Sequence, residues 1–542
     1  MVTSAHVDRF TAERLPPRQQ WPDLLLDLPE LRRPERLNCG VELLDGTIER
    51  LGGGRRCLVT DTESWTYEDL RANADRIAHV LVDELGVIPG NRVLLRGPNT
   101  PWLVACWFAV MKAGAVAVST MPLLRAGELA TVIELARPSV ALCDARFTEE
   151  LEAAAPREMR LAAYGGGGRR DLVRRSAARP SSFPAVATAA DDVCLIAFTS
   201  GTTGRPKGCM HAHRDVLAIA DTFSQRIVRP TADDLFVTSP PLAFTYGLGG
   251  LVVFPMRAGA ASLLLERATP ELLAAAVERH RATVCFTAPT AYKAMLRLPA
   301  GDLSSLRRCV SAGESLPRAV WEAWHETTGL RIIDGIGSTE MLHIFISAAD
   351  DDIRPGATGR AVPGYEARVV DERGAPVPDG VVGRLAVRGP TGCRYLADER
   401  QRLYVQDGWN ITGDAYIRDA DGYFWFQARA DDMIISSGYN IAGPEVEEAL
   451  LRHPDVLEAA VVGVPDPDRG SIVKAFVVMR EGAARDAATA AELQAFVKRV
   501  IAPYKHPRAV EFVDALPRTA TGKLQRFRLR SSGDGPEVGR AA

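Results

Sequence analysis

An apolar run, Val193-Cys-Leu-Ile-Ala-Phe198, passes without a break into Thr199-Ser-Gly-Thr-Thr-Gly-Arg-Pro-Lys-Gly208. A buried strand that ends this way lets the backbone approach an anion. Glycines remove bulk, hydroxyls donate hydrogen bonds, and Lys207 adds charge for phosphate oxygens. The loop is not of the Walker A kind, because Pro206 stands where the second glycine of that pattern belongs.

Around this loop the chain alternates strands and helices. Residues 66–85 carry apolar positions at helical spacing (Leu70, Ala74, Ile77, Val80, Leu81), and a strand is expected at 91–95. A helix over 102–112, a strand near 115–118, a helix over 129–136 and a strand over 139–143 continue the pattern. Further on, a helix at 270–280 precedes a strand at 283–287. Such units predict parallel sheets with helices on their faces. Residues 151–190, rich in Ala, Arg, Gly and Pro, read as a mobile surface excursion.

After about residue 356 the texture changes to short strands with turn signals such as Pro378-Asp-Gly380, which suggests a β-rich subdomain over about 356–430. From Asp431 a separate unit is expected: a helix at 444–451, strands at 457–464 and 473–479, a helix at 490–501 and a polar tail. The division is therefore 1–430 and 431–542.

The charge balance, 65 basic against 68 acidic residues, gives no global attraction for nucleic acid or an anionic membrane. The N-terminus has charges where a signal peptide needs an apolar core, and the most apolar later stretch, 248–265, is broken by Pro255, Arg257 and glycines. Nine scattered cysteines, never in CxxC, fit buried free thiols in a reducing, cytoplasmic compartment. His211-Ala-His213 offers two imidazoles without a third ligand nearby, so two ordinary histidines are expected there. No segment declares an oligomeric interface.

Besides the loop, several motifs occur in order: Ser311-Ala-Gly-Glu314, Asp334-Gly-Ile-Gly-Ser-Thr-Glu340, Thr412-Gly-Asp414, Arg429-Ala-Asp-Asp-Met-Ile434, Gly438-Tyr-Asn-Ile441 and Pro517-Arg-Thr-Ala-Thr-Gly-Lys523. Together they resemble the adenylate-forming enzymes, which include acyl- and aryl-CoA ligases, over nearly the whole chain. The resemblance implies an α/β fold. Its large N-terminal body would have two parallel-sheet subdomains and a β-barrel-like subdomain, followed by a small mobile α+β C-terminal domain. It also implies a two-step reaction: a carboxylate attacks the α-phosphorus of ATP, giving an acyl-adenylate and pyrophosphate, and a thiol then displaces AMP. Joining two anions requires charge neutralisation and alignment more than proton transfer.

By the same resemblance, Thr199, Ser200, Gly201, Thr202, Thr203, Gly204 and Lys207 hold the β- and γ-phosphates. Thr339 contacts the α-phosphate and Glu340 coordinates Mg²⁺. Gly313, Glu314, Asp334, Gly335 and Ile336 belong to the nucleotide site. Asp414 accepts the ribose hydroxyls and Arg429 supports the same ribose. Lys523 is the catalytic lysine of adenylation. Asp431 is the hinge about which the small domain rotates, bringing Gly438 and Tyr439 to the pantetheine tunnel.

Two departures from the general pattern narrow the substrate. Ile336 stands where an aromatic is usual, and Phe244 where many relatives place a histidine. The string at 335–347 is similar to benzoate-CoA ligases, and the opening segment around 21–45 to 2-aminobenzoate-CoA ligases. Phe244, Tyr246, Ala312, Gly337 and His343 are the implied lining of a short aromatic pocket. His343 reads either as a substrate contact or as a core histidine packed between Leu342 and Ile344. The expected substrates are a small aromatic acid, ATP and coenzyme A, with a carrier protein's phosphopantetheine thiol as the alternative acceptor. A non-catalytic adenylate-binding relative is the remaining alternative, against which intact Glu340 and Lys523 argue.

Overall fold

The computed structural model describes residues 3–199, 206–298, 301–429, 432, 434–436, 439–466, 470–501, 503–518 and 524–531. Two compact units divide the chain: residues 1–367 with 386–411, and residues 368–385 with 412–542.

The first unit contains two large sheets. In one, the strands run in the order Arg160–Tyr164, Val140–Asp144, Arg92–Arg96, Val116–Thr120, Val193–Thr199, Lys207–Ala212, parallel except for the last. The helix Pro101–Lys112 is buried at eleven positions. It starts on a Thr100 side-chain cap with Pro101 at its first position, where a missing N–H costs nothing. The second sheet has a parallel centre of Ile332–Gly337, Arg308–Ser311, Val284–Thr287, Leu235–Thr238, Ala261–Leu263 and Arg56–Val59. Antiparallel strands close both of its edges. Continuous buried runs such as Val284–Thr287 are what a sheet covered on both faces requires.

The expected strand–helix alternation is present to within a few residues at each end. The reading of 151–190 as a surface excursion is corrected. Arg160–Tyr164 is the edge strand of the first sheet, paired in parallel with Val140–Asp144, and a short helix, Leu172–Ala177, follows. Tyr164 secures the strand, being buried with its hydroxyl 3.4 Å from the Arg96 carbonyl. Asp171 caps the helix. The polar tail is also more than a tail: it holds the strand Ala509–Phe512 and the helix Arg526–Ser531.

In the second unit, residues 414–418 of the strand Trp409–Arg418 pair antiparallel with Phe424–Arg429. A three-stranded sheet pairs Val456–Asp466 antiparallel with Gly470–Met479, which runs parallel to Ala509–Phe512. Strict alternation sorts its residues. Val461, Val473, Ala475 and Val477 face one core with Leu450, Leu493 and Val497, while Ala460, Val462, Phe476 and Val478 face another with Leu516 and Leu529. Among the described residues, no helix is long and apolar enough to cross a membrane.

Candidate functional site

The apolar run that opens the phosphate motif is the strand Val193–Thr199, and the motif returns as the antiparallel strand Lys207–Ala212, with Thr199 opposite Lys207. Ser200, Gly201, Thr202, Thr203 and Gly204 lie outside the described residues. Lys207 Nζ donates to Tyr395 Oη at 2.7 Å, and Tyr395 Oη in turn donates to Glu340 Oε1 at 2.5 Å. Lys207 Nζ and Glu340 Oε1 are 3.6 Å apart, so the three groups form one charge-balanced triangle. Burial and the Glu340 charge push the Tyr395 phenol far above its ordinary range, which keeps it a donor. Tyr404 stacks edge-on against Tyr395 at 5.8 Å, and the Lys207 ammonium sits over both rings.

Thr339 and Glu340 are held from beneath. His211 is fully buried, with Nε2 2.8 Å from the Thr339 carbonyl. Burial lowers its pKa to about 4, so the ring is neutral and Nε2–H donates. Asp215, also buried, receives the Ala212 amide at 2.9 Å and pairs with Arg394, the residue next to Tyr395. Leu342 takes a left-handed φ of 68°, unusual for a residue with a Cβ, and this sharp turn separates Glu340 from His343.

Ser311 and Asp334 pair across adjacent parallel strands, and Thr287 pairs with Ser311, so all three sit at the carboxyl end of the second sheet. That edge is where open α/β sheets receive ligands. Ala312 is buried, Gly313 has a φ of 90° with open space at its Cβ position, and Glu314 follows. Gly335 and Ile336 continue the strand Ile332–Gly337. Burial raises the Asp334 carboxyl to about 8, opposed by the Gly335 amide and the Ser311 hydroxyl.

His343 lies at the centre of an aromatic cluster. Phe254 meets its ring edge-on at 4.6 Å, Phe223 is at 5.3 Å, Tyr246 at 5.5 Å and Phe286 at 6.4 Å. Neither ring nitrogen makes a hydrogen bond among the described residues. Burial lowers its pKa to about 3, only partly offset by the Tyr246 main chain. Two contributing segments, Ala220–Val228 and Gly249–Val253, are wound more widely than an α-helix, a form often found at functional positions. A Cβ on Gly249 would lie 2.5 Å from His343 Nε2, and one on Gly337 would lie 2.7 Å from the His343 carbonyl. Tyr246 also donates from Oη towards the Thr287 and Val310 carbonyls. Phe244, by contrast, precedes the short helix Thr245–Leu248 and is not among the rings packed on His343.

In the second unit Arg429 Nη1 reaches Asp414 Oδ1 at 2.9 Å, and the two residues are register partners. Gly413, at φ 76°, leaves room for that guanidinium: a Cβ there would be 3.0 Å from it. Tyr439 lies on the strand Tyr439–Ile441. Asp431, Gly438 and Lys523 lie outside the described residues. Sequence reasoning missed Tyr395, Tyr404, Phe223, Phe254 and Phe286, none of which stands in a motif, and gave His211 no role.

The model of the AMP-binding enzyme family matches residues 46–395, and that of the AMP-binding enzyme C-terminal domain matches residues 445–523. A benzoate–CoA ligase of Thauera aromatica is 36% identical over 93% of this chain and 98% of its own. The crystal structure of an anthranilate CoA ligase in complex with anthranoyl-AMP is 35% identical, with a TM-score of 0.87 over 93% of this chain and 99% of that one. A benzoate CoA ligase structure from Burkholderia xenovorans LB400 is 35% identical, with a TM-score of 0.83, covering 91% and 99%.

Proposed function

Because this chain belongs to the family of AMP-binding enzymes, we propose that the acid it activates is 2-aminobenzoate or a closely related benzoate. The chain is an AMP-forming acid–thiol ligase, an aryl-CoA ligase, and ATP and CoA are its co-substrates.

The aromatic cluster around His343 carries the narrower reading. Rings packed at 4.6 to 6.4 Å around His343 make an apolar, aromatic surface that suits a flat ring system. A neutral imidazole whose ring nitrogens meet the hydrogen-bond geometry with no group among the described residues is a suitable acceptor for an amine ortho to the carboxylate. Its partner in the site would thus be an aniline N–H.

The acid arrives ionised, since a benzoate carboxyl is fully deprotonated near neutral pH. Its oxygen forms a bond to the α-phosphorus while the bond to pyrophosphate breaks. Lys207 and the Thr199–Gly204 loop would neutralise the leaving phosphates. Glu340 fits a hard divalent cation such as Mg²⁺: it is a buried carboxylate whose Oε1 is already oriented by the Tyr395 hydroxyl. When bound, that ion screens the polyphosphate charge. Lys523, carried from the family motif, would stabilise the charge of adenylation. In the second step the CoA sulfur bonds to the acyl carbon and AMP leaves with its electron pair.

The test is pyrophosphate release across 2-aminobenzoate, benzoate, hydroxybenzoates and short fatty acids, with CoA and a carrier protein offered separately. Highest kcat/KM for 2-aminobenzoate or another benzoate, with thioester formed on CoA, is expected. A fatty acid outcompeting every aryl acid overturns the reading.

A further inference from the structure

Three residues far apart in sequence meet beneath the phosphate hairpin. Cys39 opens the helix Cys39–Leu43, Cys194 lies in the strand Val193–Thr199, and His213 opens the helix after the return strand. All three are fully buried, and their ligand atoms lie within 4.8 Å of one another. Cys39 Sγ is 3.2 Å from His213 Nδ1 and 3.7 Å from the thioether sulfur of buried Met111. Gly40 permits this approach: a Cβ there would stand 2.6 Å from Met111 Cβ.

The 3.2 Å and 3.7 Å spacings are close to those of ligand atoms around one small cation, and Cys194 lies within the same reach. Metal–sulfur bonds of about 2.3 Å and metal–nitrogen bonds of about 2.0 Å in a tetrahedron give sulfur–sulfur edges of about 3.8 Å and sulfur–nitrogen edges near 3.5 Å. The donor set is soft, with two thiols, an imidazole and a thioether, and soft sulfur donors select closed-shell thiophilic ions. Two thiolates would balance a divalent charge at this buried place. In the structure His213 Nδ1 accepts the Cys39 amide at 3.1 Å while Nε2 is buried without a partner among the described residues. An ion would take the Nδ1 lone pair in place of that amide.

We propose that Cys39, Cys194 and His213, with Met111 as the fourth donor, form a structural site for a thiophilic d¹⁰ cation, zinc or cuprous copper. The ion ties the strand Val193–Thr199 and the helix that follows the return strand to the helix at Cys39. It takes no part in the chemistry, because its ligands are fully buried.

The full-length enzyme, purified without chelator, is analysed for metal by mass spectrometry, which also decides between the two elements. It is then stripped and titrated with Cd²⁺ while the thiolate-to-metal absorption is followed. One equivalent and a thiolate band are expected in wild type and in Cys143→Ser, with both lost in Cys39→Ser and Cys194→Ser. The reading does not depend on a variant folding, because the band is sought in wild type, where thiol titration of the denatured, metal-free chain is expected to find all nine cysteines reactive. Nine thiols with no Cd²⁺ band overturn the proposal, as do seven thiols, which would mean a Cys39–Cys194 disulfide.

Discussion

Tyr395 Oη lies 2.5 Å from Glu340 Oε1 and at the same time accepts the Lys207 ammonium at 2.7 Å. One phenol therefore bridges the lysine of the phosphate hairpin and the carboxylate proposed to hold the cation. Because Tyr395 is held protonated, its O–H fixes one oxygen of Glu340 and leaves the other for a further partner.

Tyr395→Phe removes that bridge without changing volume. Hydrogen bonds to charged groups contribute about 1.5–3 kcal/mol, so adenylation should slow by about 10–100-fold. The Mg²⁺ concentration for half-maximal pyrophosphate release should rise as well, because Glu340 is no longer oriented. An unchanged Mg²⁺ dependence would show that the phenol only packs.

His211 supports the same carboxylate one step back, through the Thr339 carbonyl. His211→Gln retains an N–H near the Nε2 position and should keep most of the activity, whereas His211→Leu should lose about tenfold in adenylation. The pH behaviour follows from its lowered pKa of about 4 against an unfolded value near 6.5. Below about 6.5 the unfolded chain takes up a proton that the fold refuses, so this contribution to stability is complete above 6.5 and declines towards pH 4. Thermal unfolding from pH 7 to 4 should fall more steeply for wild type than for His211→Gln.

Asp334 has the opposite sign. Its pKa is raised to about 8, so the fold holds a proton that the unfolded chain has already released. Stability from this group is full below about 4 and is lost as pH rises towards 8. Asp334→Asn, which cannot ionise, should unfold a few degrees (about 2–4 °C) above wild type at pH 8.5 and level with it at pH 4. Parallel unfolding curves across that range would refute the buried-acid reading.

Much of the fold was legible because periodicity reports burial. The helix Pro101–Lys112 and the strand Val193–Thr199 sit where their apolar spacing put them. Arg160–Tyr164 was misread because an edge strand of five residues, with only Ala162 and Tyr164 buried, carries little pattern among the surrounding Arg and Gly. At the site, motif residues such as Asp414 and Arg429 are brought together as register partners. Tyr395 was not legible, since a single tyrosine outside any motif acquires its role only when the chain places it against Lys207. The Cys39–Cys194–His213 cluster is not legible for the same reason: spacing rules detect ligands that are near in sequence.

On the proposed roles, Lys523 and Asp431 are expected to separate the two half-reactions. Lys523→Ala should reduce adenylation by about 10²–10³-fold while leaving thioester formation from supplied aryl-adenylate largely intact. Asp431→Pro fixes φ at the hinge and should do the reverse. Equal loss in both half-reactions for either variant would sink the alternating use of the small domain.

In the proposed reading His343 acts on substrate choice through its nitrogen or its shape, and two substitutions separate these. His343→Phe keeps a ring among Phe223, Phe254 and Phe286 but removes the acceptor. The kcat/KM for 2-aminobenzoate should fall by about tenfold relative to that for benzoate, the cost of one unmade hydrogen bond. Gly249→Ala leaves the imidazole but places a methyl where only 2.5 Å separates it from Nε2, so the ring must shift. KM for both acids should then rise together, with their ratio nearly unchanged. If His343→Phe also lowers both acids equally, the imidazole is a packing element and ring substitution is recognised elsewhere.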